Sequence, residues 1–238
     1  MGSNKFEEIK VGDIIEGVDG PVTRQAINRY AETSGDRNPI HTTYSVAMAA
    51  GLKGVIQHGL FSMAWLLKTL TSWMGNNGKL KSIDIQFRAM VRPNDIVHSM
   101  GTVIKKYQED GQNLIDLELN QEAWSLLCKG RLQSFDKSIT PEILSQKLLN
   151  NKLILEIKAE IADGIVKEVE KEKFELSSAD IKVNPNFLSF GEAFIRGWYQ
   201  KGDNLRVKLD QSSETGKFDF EIHKVTDSIK GTSTIILL

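Results

Sequence analysis

The pattern of apolar and polar positions changes along this chain. Between Leu60 and Met74 the apolar residues leave almost no polar face, and a helix that is apolar nearly all round must be wrapped by the rest of its fold. After this helix the pattern changes to an alternation of period two, which predicts strands. The strand-like runs cover about 81–91, 95–107, 113–121 and 124–135. A buried helix followed by an antiparallel meander is an α+β arrangement.

Two shorter helices are predicted before the apolar one. Thr23 is a good N-cap for a helix that Ser34 and Gly35 end, and Thr42 or Thr43 can cap a second helix through Ala50. The chain between these two helices contains Asp36 and is expected to form a loop.

The second half of the chain is predicted to be a separate domain. A polar stretch over 136–151 separates a first domain, residues 1–138, from a second, residues 150–238. Residues 165–176 fit neither period. The strand-like runs of the second half lie at about 153–161, 204–210, 217–225 and 231–238. The last three resemble the first meander in spacing, which indicates a weak internal repeat.

Composition and charge narrow the function classes. Thirty Lys and Arg balance thirty-one Asp and Glu, so no basic field indicates nucleic acid. The apolar run 60–74 is too short to span a bilayer, and the polar N-terminus predicts no signal peptide. One cysteine and four histidines give no metal-ligand spacing. We therefore expect a cytoplasmic protein that binds neither metal, nucleic acid nor membrane.

The candidate chemistry lies between Tyr30 and Gly59. Asp36 and His41 stand five residues apart on a tight turn, and an Asp–His pair can move protons in both directions near neutral pH. A glycine turn follows at 54–59, and its backbone N–H, at the start of an apolar helix, can stabilise a carbonyl oxygen that becomes negative. These residues predict proton transfer beside a polarised carbonyl.

The same stretch carries a family resemblance. Tyr30-Ala-Glu-Thr-Ser-Gly-Asp-Arg-Asn-Pro-Ile-His41, with Ala47 six residues on, resembles the signature of the MaoC-like (R)-specific enoyl-CoA hydratases. Gly54-Val-Ile-Gln-His-Gly59 and the run from Phe87 to Asp95 fit the same family. The resemblance covers about residues 8–135. It implies a hot-dog fold, which is an antiparallel sheet wrapped round a long central helix.

The resemblance also implies roles for five residues. Asp36 and His41 would activate the water that adds to C3 of a trans-2-enoyl thioester, Asn38 would help to orient the site, and Gly59 would donate its amide to the thioester oxygen. His58 has two readings: it lines the substrate pocket, or it hydrogen-bonds the backbone beneath the turn. The expected partner is an acyl-CoA, or the same acyl group on a carrier protein. No cofactor is expected.

Alternatives remain open for both halves. An acyl-CoA thioesterase on the same fold and a non-catalytic acyl-thioester binding protein compete with the hydro-lyase. The second half is predicted to be a degenerate hot-dog, which makes the chain a pseudo-dimeric monomer. The rival is an unrelated α+β accessory domain, such as a lipid-binding or partner-binding module, which predicts a homodimer through the first half.

Overall fold

A computed structural model describes residues 5–134, 154–159, 169–175, 188–195, 204–211 and 217–238. The chain divides into two compact units. Unit 1 contains Met1–Trp124 and Thr226–Leu238, and unit 2 contains Ser125–Val225. The chain therefore leaves unit 1 and returns to it.

The described elements are four α-helices, two 3₁₀ helices and nine strands. The helices are α1 (Arg24–Ser34), α2 (Pro39–Thr42), α3 (Tyr44–Ala49) and α4 (Gly59–Met74), with 3₁₀ helices at Phe6–Glu8 and Gly75–Asn77. The strands are β1 (Ile14–Asp19), β2 (Gly78–Phe87), β3 (Ile96–Glu109), β4 (Gln112–Ser134), β5 (Ile154–Ala159), β6 (Val169–Glu175), β7 (Leu188–Ile195), β8 (Asn204–Gln211) and β9 (Lys217–Leu237). No described helix is long and apolar enough to cross a bilayer.

The ends of α1 are those that the sequence predicts. Thr23 caps the helix by accepting the N–H of Ala26 at 3.0 Å, and Gly35 ends it in the left-handed conformation at φ 79°. The helix predicted from Thr42 or Thr43 through Ala50 is α3, with Thr43 at its N-cap position and Ala50 at its C-cap position. An unpredicted short helix, α2, precedes it, and Pro39 occupies its first turn, where a missing N–H costs nothing.

Unit 1 is a sheet wrapped round α4. Its strand order is β1-β3-β4-β9-β2, and the pairs β1–β3, β3–β4 and β2–β9 are antiparallel. Leu66 and Leu70 of α4 are fully buried against residues of the sheet. The buried cluster consists of Ile9, Ile15, Leu66, Leu70, Met74, Val103, Ile115, Leu117, Leu119, Ile229, Ile235 and Leu237. This is the predicted hot-dog fold.

The end of β9 completes that sheet, which corrects the predicted domain boundaries. Its register with β2 runs from Gly78 opposite Leu237 to Phe87 opposite Ile229, and three of its apolar side chains belong to the core around α4. The run 231–238, predicted as part of a second domain at 150–238, therefore belongs to unit 1. The first domain is likewise not the continuous segment 1–138, because its last strand follows an insertion.

Two long strands replace four shorter predicted ones. β4 continues through the gap predicted between 113–121 and 124–135, and β9 continues through the gap between 217–225 and 231–238. Two polar residues in or beside these gaps, Gln121 and Ser228, are buried and hydrogen-bonded. Gln121 donates from Nε2 to the Ser62 carbonyl at 2.9 Å, and Ser228 donates from Oγ to the Gln121 carbonyl at 2.9 Å. Satisfied polar groups can remain inside a strand.

The described elements of unit 2 are all strands. β5 pairs with β6, β7 with the unit 2 end of β4, and β8 with the unit 2 end of β9, each antiparallel. The ambiguous stretch 165–176 contains β6. The predicted boundary at 136–151 lies outside the described residues. The choice between a degenerate second hot-dog and an unrelated domain stays a prediction.

Candidate functional site

The turn after α1 is built by its own polar side chains. Gly35 reverses the chain in the left-handed region, and the next residue, Asp36, is exposed. The Asp36 carboxylate accepts the Asn38 N–H at 3.2 Å, and the Asn38 side chain accepts the Ile40 N–H at 3.2 Å. Asn38 thereby caps α2. The position of Asn38 is that of a turn-forming residue, and its predicted orienting role stays a prediction.

His41 is buried on the short helix α2 with one fixed nitrogen. Its ring Nδ1 lies 2.9 Å from the carbonyl oxygen of Ile56. Because a carbonyl oxygen only accepts, Nδ1 carries the hydrogen, and the lone pair of the neutral ring lies on Nε2. The fold therefore leaves Nε2 as the nitrogen that can take up a proton.

His58 precedes α4, and its other ring nitrogen, Nε2 instead of Nδ1, is the one bonded to the main chain. Its Nε2 donates to the main-chain carbonyl of Asp36 at 3.0 Å. Its ring stacks on that of His41, with 3.8 Å between centroids and 24° between planes, and Tyr30 packs against it at 4.9 Å between ring centroids. The sequence left two interpretations of His58, a pocket-lining residue or a hydrogen bond to the backbone beneath the turn. The structure contains this hydrogen bond. A substrate contact by His58 stays a prediction.

The pKa of His58 is lowered from its usual value of 6.5. Burial is the main cause, because the charged imidazole loses its hydration. The neighbouring His41 lowers the pKa further, while the hydrogen bond to the Asp36 carbonyl and the Asp36 charge oppose the shift. His58 is therefore neutral at physiological pH, and its Nδ1 is buried without a partner in the described part of the chain.

The structure brings together three of the five predicted residues. One carboxylate oxygen of Asp36 and one ring nitrogen each of His41 and His58 lie within 4.8 Å of one another. Groups of this kind can hold a metal ion, but each imidazole here already gives one nitrogen to a main-chain carbonyl. The expectation that the chain binds no metal stays a prediction. The same geometry suits proton transfer by Asp36 and His41.

Gly59 begins α4 directly after His58. The first N–H groups of a helix have no intrahelical partner, and they carry the positive end of the helix dipole. No side chain caps this end of α4, and Gly59 is exposed. A Cβ at this position would lie 3.2 Å from the Phe87 ring, so glycine allows that ring to pack close. The predicted role of the Gly59 N–H as a donor to the thioester oxygen stays a prediction.

Sequence reasoning assigned no role to three residues around this site. Tyr30 packs between His58 and Phe61, and the ring planes of Tyr30 and Phe61 are 6° apart. Gln57 is 4% exposed, and neither atom of its side-chain amide has a partner among the described residues. Tyr30 is the first residue of the motif that carries the family resemblance, so the motif could have indicated that Tyr30 lies near the site. Gln57 lies in the run from Gly54 to Gly59 that fits the same family, but no role was predicted for it.

A cavity of about 360 Å³ lies elsewhere in unit 1. It is formed by β1 and the C-terminal half of α4, and none of the five predicted residues lines it. Its lining is Ile14, Ile15, Glu16, Gly17, Val18, Asp19, Lys68, Thr69, Ser72 and Trp73.

Comparisons with known proteins give a family for most of unit 1. Residues 10–123 match the family model described as MaoC like domain. The 3-hydroxybutyryl-CoA dehydratase of Methylorubrum extorquens is 32% identical over 93 residues, which cover 39% of this chain and 59% of that protein. The fatty acid synthase subunit beta of Saccharomyces cerevisiae is 33% identical over 95 residues, which cover 39% of this chain and 4% of that protein. The chain thus spans less than two thirds of either relative.

Solved structures similar to part of this chain include two hydratases. An unliganded R-hydratase from Pseudomonas aeruginosa aligns with a TM-score of 0.45 and 21% identity, covering 50% of this chain and 74% of that chain. An (R)-hydratase from A. caviae aligns with a TM-score of 0.45 and 17% identity, covering 49% of this chain and 87% of that chain. Residues 10–123 form a MaoC-like dehydratase domain, as the motif beginning at Tyr30 indicated.

Proposed function

We propose that this chain is an (R)-specific enoyl-CoA hydratase, equally a 3-hydroxyacyl-CoA dehydratase, with Asp36 and His41 as its catalytic pair. The observation that carries the proposal is the fixed tautomer of His41 beside the Asp36 carboxylate. The Ile56 carbonyl holds the proton on Nδ1, so Nε2 is the nitrogen that can accept a proton. A ring nitrogen of His41 and a carboxylate oxygen of Asp36 lie within 4.8 Å of each other.

The reaction adds water across the C2–C3 double bond of a trans-2-enoyl thioester. Asp36 and His41 take a proton from water, and the water oxygen bonds to C3. Electron density moves onto the thioester oxygen, and a proton returned to C2 completes the product. The Gly59 N–H would meet the developing negative charge, and a fixed donor of this kind is worth about 2.7–4 kcal/mol.

Apolar surface near the site supports an acyl substrate. Large apolar side chains remain exposed on α3, at the start of α4, and at and after the end of β2. They are Tyr44, Val46, Met48, Leu60, Phe87 and Met90. An acyl chain could cover such surface and stabilise the complex by removing it from water. The dehydratase named above acts on a coenzyme A ester. A carrier-protein thioester offers the same acyl chemistry, and we propose either as substrate, with no cofactor.

The test follows the loss of the conjugated-thioester absorbance of crotonyl-CoA. Asp36→Asn keeps the oxygen that accepts the Asn38 N–H and removes the charge. His41→Asn keeps a donor at the position of Nδ1, which serves the Ile56 carbonyl, and removes Nε2. We expect the wild type to be active and each variant to lose about 10²–10⁴-fold in kcat, with thermal unfolding temperatures close to that of the wild type.

Free-thiol release is measured in the same samples. Thiol release without hydration would support the thioesterase alternative. Wild-type protein that binds acyl-CoA but neither hydrates nor hydrolyses crotonyl-CoA and longer enoyl-CoA chains would overturn the enzyme proposal in favour of a binding protein.

A further inference from the structure

We propose that His58 is a positioning residue for the catalytic pair: its single imidazole holds the main chain of Asp36 and the ring of His41 in one fixed arrangement. The proposal rests on the proposed function, because it concerns how the pair of that reaction is aligned. It assigns His58 neither a proton-transfer step nor a contact with substrate.

The first part of the argument is the anchoring of Asp36. Asp36 is exposed on a turn. Among the residues that the structure describes, its N–H donates to Ser34 Oγ and its Oδ1 accepts the Asn38 N–H, and both partners are two residues away. Such local bonds shape the turn but do not tie it to the rest of the fold. The bond from His58 Nε2 to the Asp36 carbonyl joins residues 22 positions apart. Within the described residues, it is the hydrogen bond that fixes the Asp36 main chain to another segment.

The second part is the stacking on His41. The His58 ring lies 3.8 Å from the His41 ring, with 24° between planes, and Tyr30 packs against it. Rotation of His58 out of this position would break its bond to the Asp36 carbonyl. The face of His41 is thus supported by a ring that is itself fixed to the turn carrying Asp36.

The third part is charge. A neutral ring beside His41 leaves His41 free to become an imidazolium during the reaction, whereas a charged His58 would repel it. The groups whose charges act on His58 are Asp36 and His41. Burial, to 1% exposure, keeps His58 neutral. The neutral state of His58 therefore adds no positive charge beside the catalytic pair.

Three substitutions separate the hydrogen bond from packing. In His58→Gln the side-chain amide nitrogen occupies the place of Nε2 and can still donate to the Asp36 carbonyl. In His58→Asn the amide nitrogen lies at the place of Nδ1 and cannot reach it. In His58→Phe an aromatic ring can still stack on His41, but the donor is gone. We expect Asn and Phe to lower kcat by about 10–10²-fold, as small misplacements of catalytic groups do, and Gln to recover most of that loss.

The measurements are kcat and KM for crotonyl-CoA hydration, with thermal unfolding of each variant. A positioning role predicts a fall in kcat at unchanged KM that does not follow the unfolding temperature. Gln as impaired as Phe, or activity that falls only in proportion to lost stability, would overturn the proposal.

A second readout does not depend on activity. Nitrogen-15 NMR of the histidine side chains distinguishes the two neutral tautomers, and we expect His58 to carry its proton on Nε2 and His41 on Nδ1 at neutral pH. A His58 that is charged or protonated on Nδ1 would refute the positioning bond. If the wild type fails to hydrate any enoyl-CoA while NMR gives the expected tautomers, the proposed reaction fails and the anchoring of Asp36 stands.

Discussion

The two ends of α4 differ in their chemistry. The candidate site lies at the N-terminal end, whereas the described cavity lies beside the C-terminal half. The N-terminal end, at His58 and Gly59, has stacked buried imidazoles and a helix terminus that no side chain caps. The C-terminal half borders a cavity of about 360 Å³, where Asp19 and Lys68 pair with each other. The N-terminal end has buried polar atoms without a partner among the described residues, at Gln57 and at Nδ1 of His58, and it is the end that carries the candidate site.

Among the substitutions that compare the two ends of α4, we expect the largest change in kcat at Gly59. Gly59→Pro removes the N–H at the first helical position, where proline is well tolerated, and the extended His58 (φ −61°, ψ 138°) suits a residue before proline. We expect kcat to fall by about 10²–10³-fold, as for the loss of one oxyanion donor. Hydration of crotonyl-CoA is the measurement.

Gly59→Ala is the matched control for this substitution. It keeps the N–H and adds the Cβ that would lie 3.2 Å from the Phe87 ring. A loss in the Ala variant as large as that in the Pro variant would assign the effect to the displaced ring and contradict a role for the amide.

A smaller effect concerns the pH dependence of stability at the same end of α4. Well above pH 6.5 His58 is neutral in both the folded and the unfolded chain, so it contributes no pH dependence there. As the pH falls below 6.5 the unfolded chain takes up a proton that folded His58, with its lowered pKa, resists. The free energy of unfolding then falls, by at most about 1.4 kcal/mol per pH unit for this one group.

Chemical denaturation on both sides of pH 6.5 measures this slope. The His58→Gln variant lacks the titrating ring and should lose less stability on acidification than the wild type. Parallel slopes in the two proteins would mean that folded His58 accepts a proton as readily as the unfolded chain does.

The smallest effect is expected at the other end of α4. The side chain of Lys68 is 62% exposed and that of Asp19 10% exposed. Because the Lys68 end of the pair is mostly in solvent, which screens the attraction, Lys68→Ala should change the free energy of unfolding by about 1 kcal/mol or less and leave kcat unchanged. A large loss of hydration activity in Lys68→Ala would break the comparison and give the cavity a part in the reaction.

The helix ends, the apolar helix and the turn from Asp36 to His41 depend on residues close in the sequence, and the sequence predicted them. Thr23 and Gly35 delimit α1 as expected, and the apolar run from Leu60 to Met74 is α4 with one residue added. Asp36 and His41 come from one short motif, so their proximity followed from its turn. Capping, helix periodicity and turn chemistry all act within a few residues, so they can be recognised directly in the sequence.

The partners of strands were not predictable in this way. An alternation of period two assigns residues to faces but names no neighbouring strand, so nothing in β9 indicated that Gly231 lies opposite Ile85. The anchoring of Asp36 by His58 likewise depends on how two loops meet. The identity of unit 2, and with it the choice between a homodimer and a pseudo-dimeric monomer, stays a prediction.

The strand that completes unit 1 also sets an order of events during translation. β2 emerges from the ribosome long before its neighbour in the sheet, because residues 125–225 are synthesised between them. Until the last strand follows, the nascent chain has an open sheet edge, and the core around Leu70 lacks Ile229, Ile235 and Leu237. Open edges invite pairing with other chains, and distant strand pairs form slowly. The growing chain is therefore most vulnerable to aggregation while unit 2 is being made.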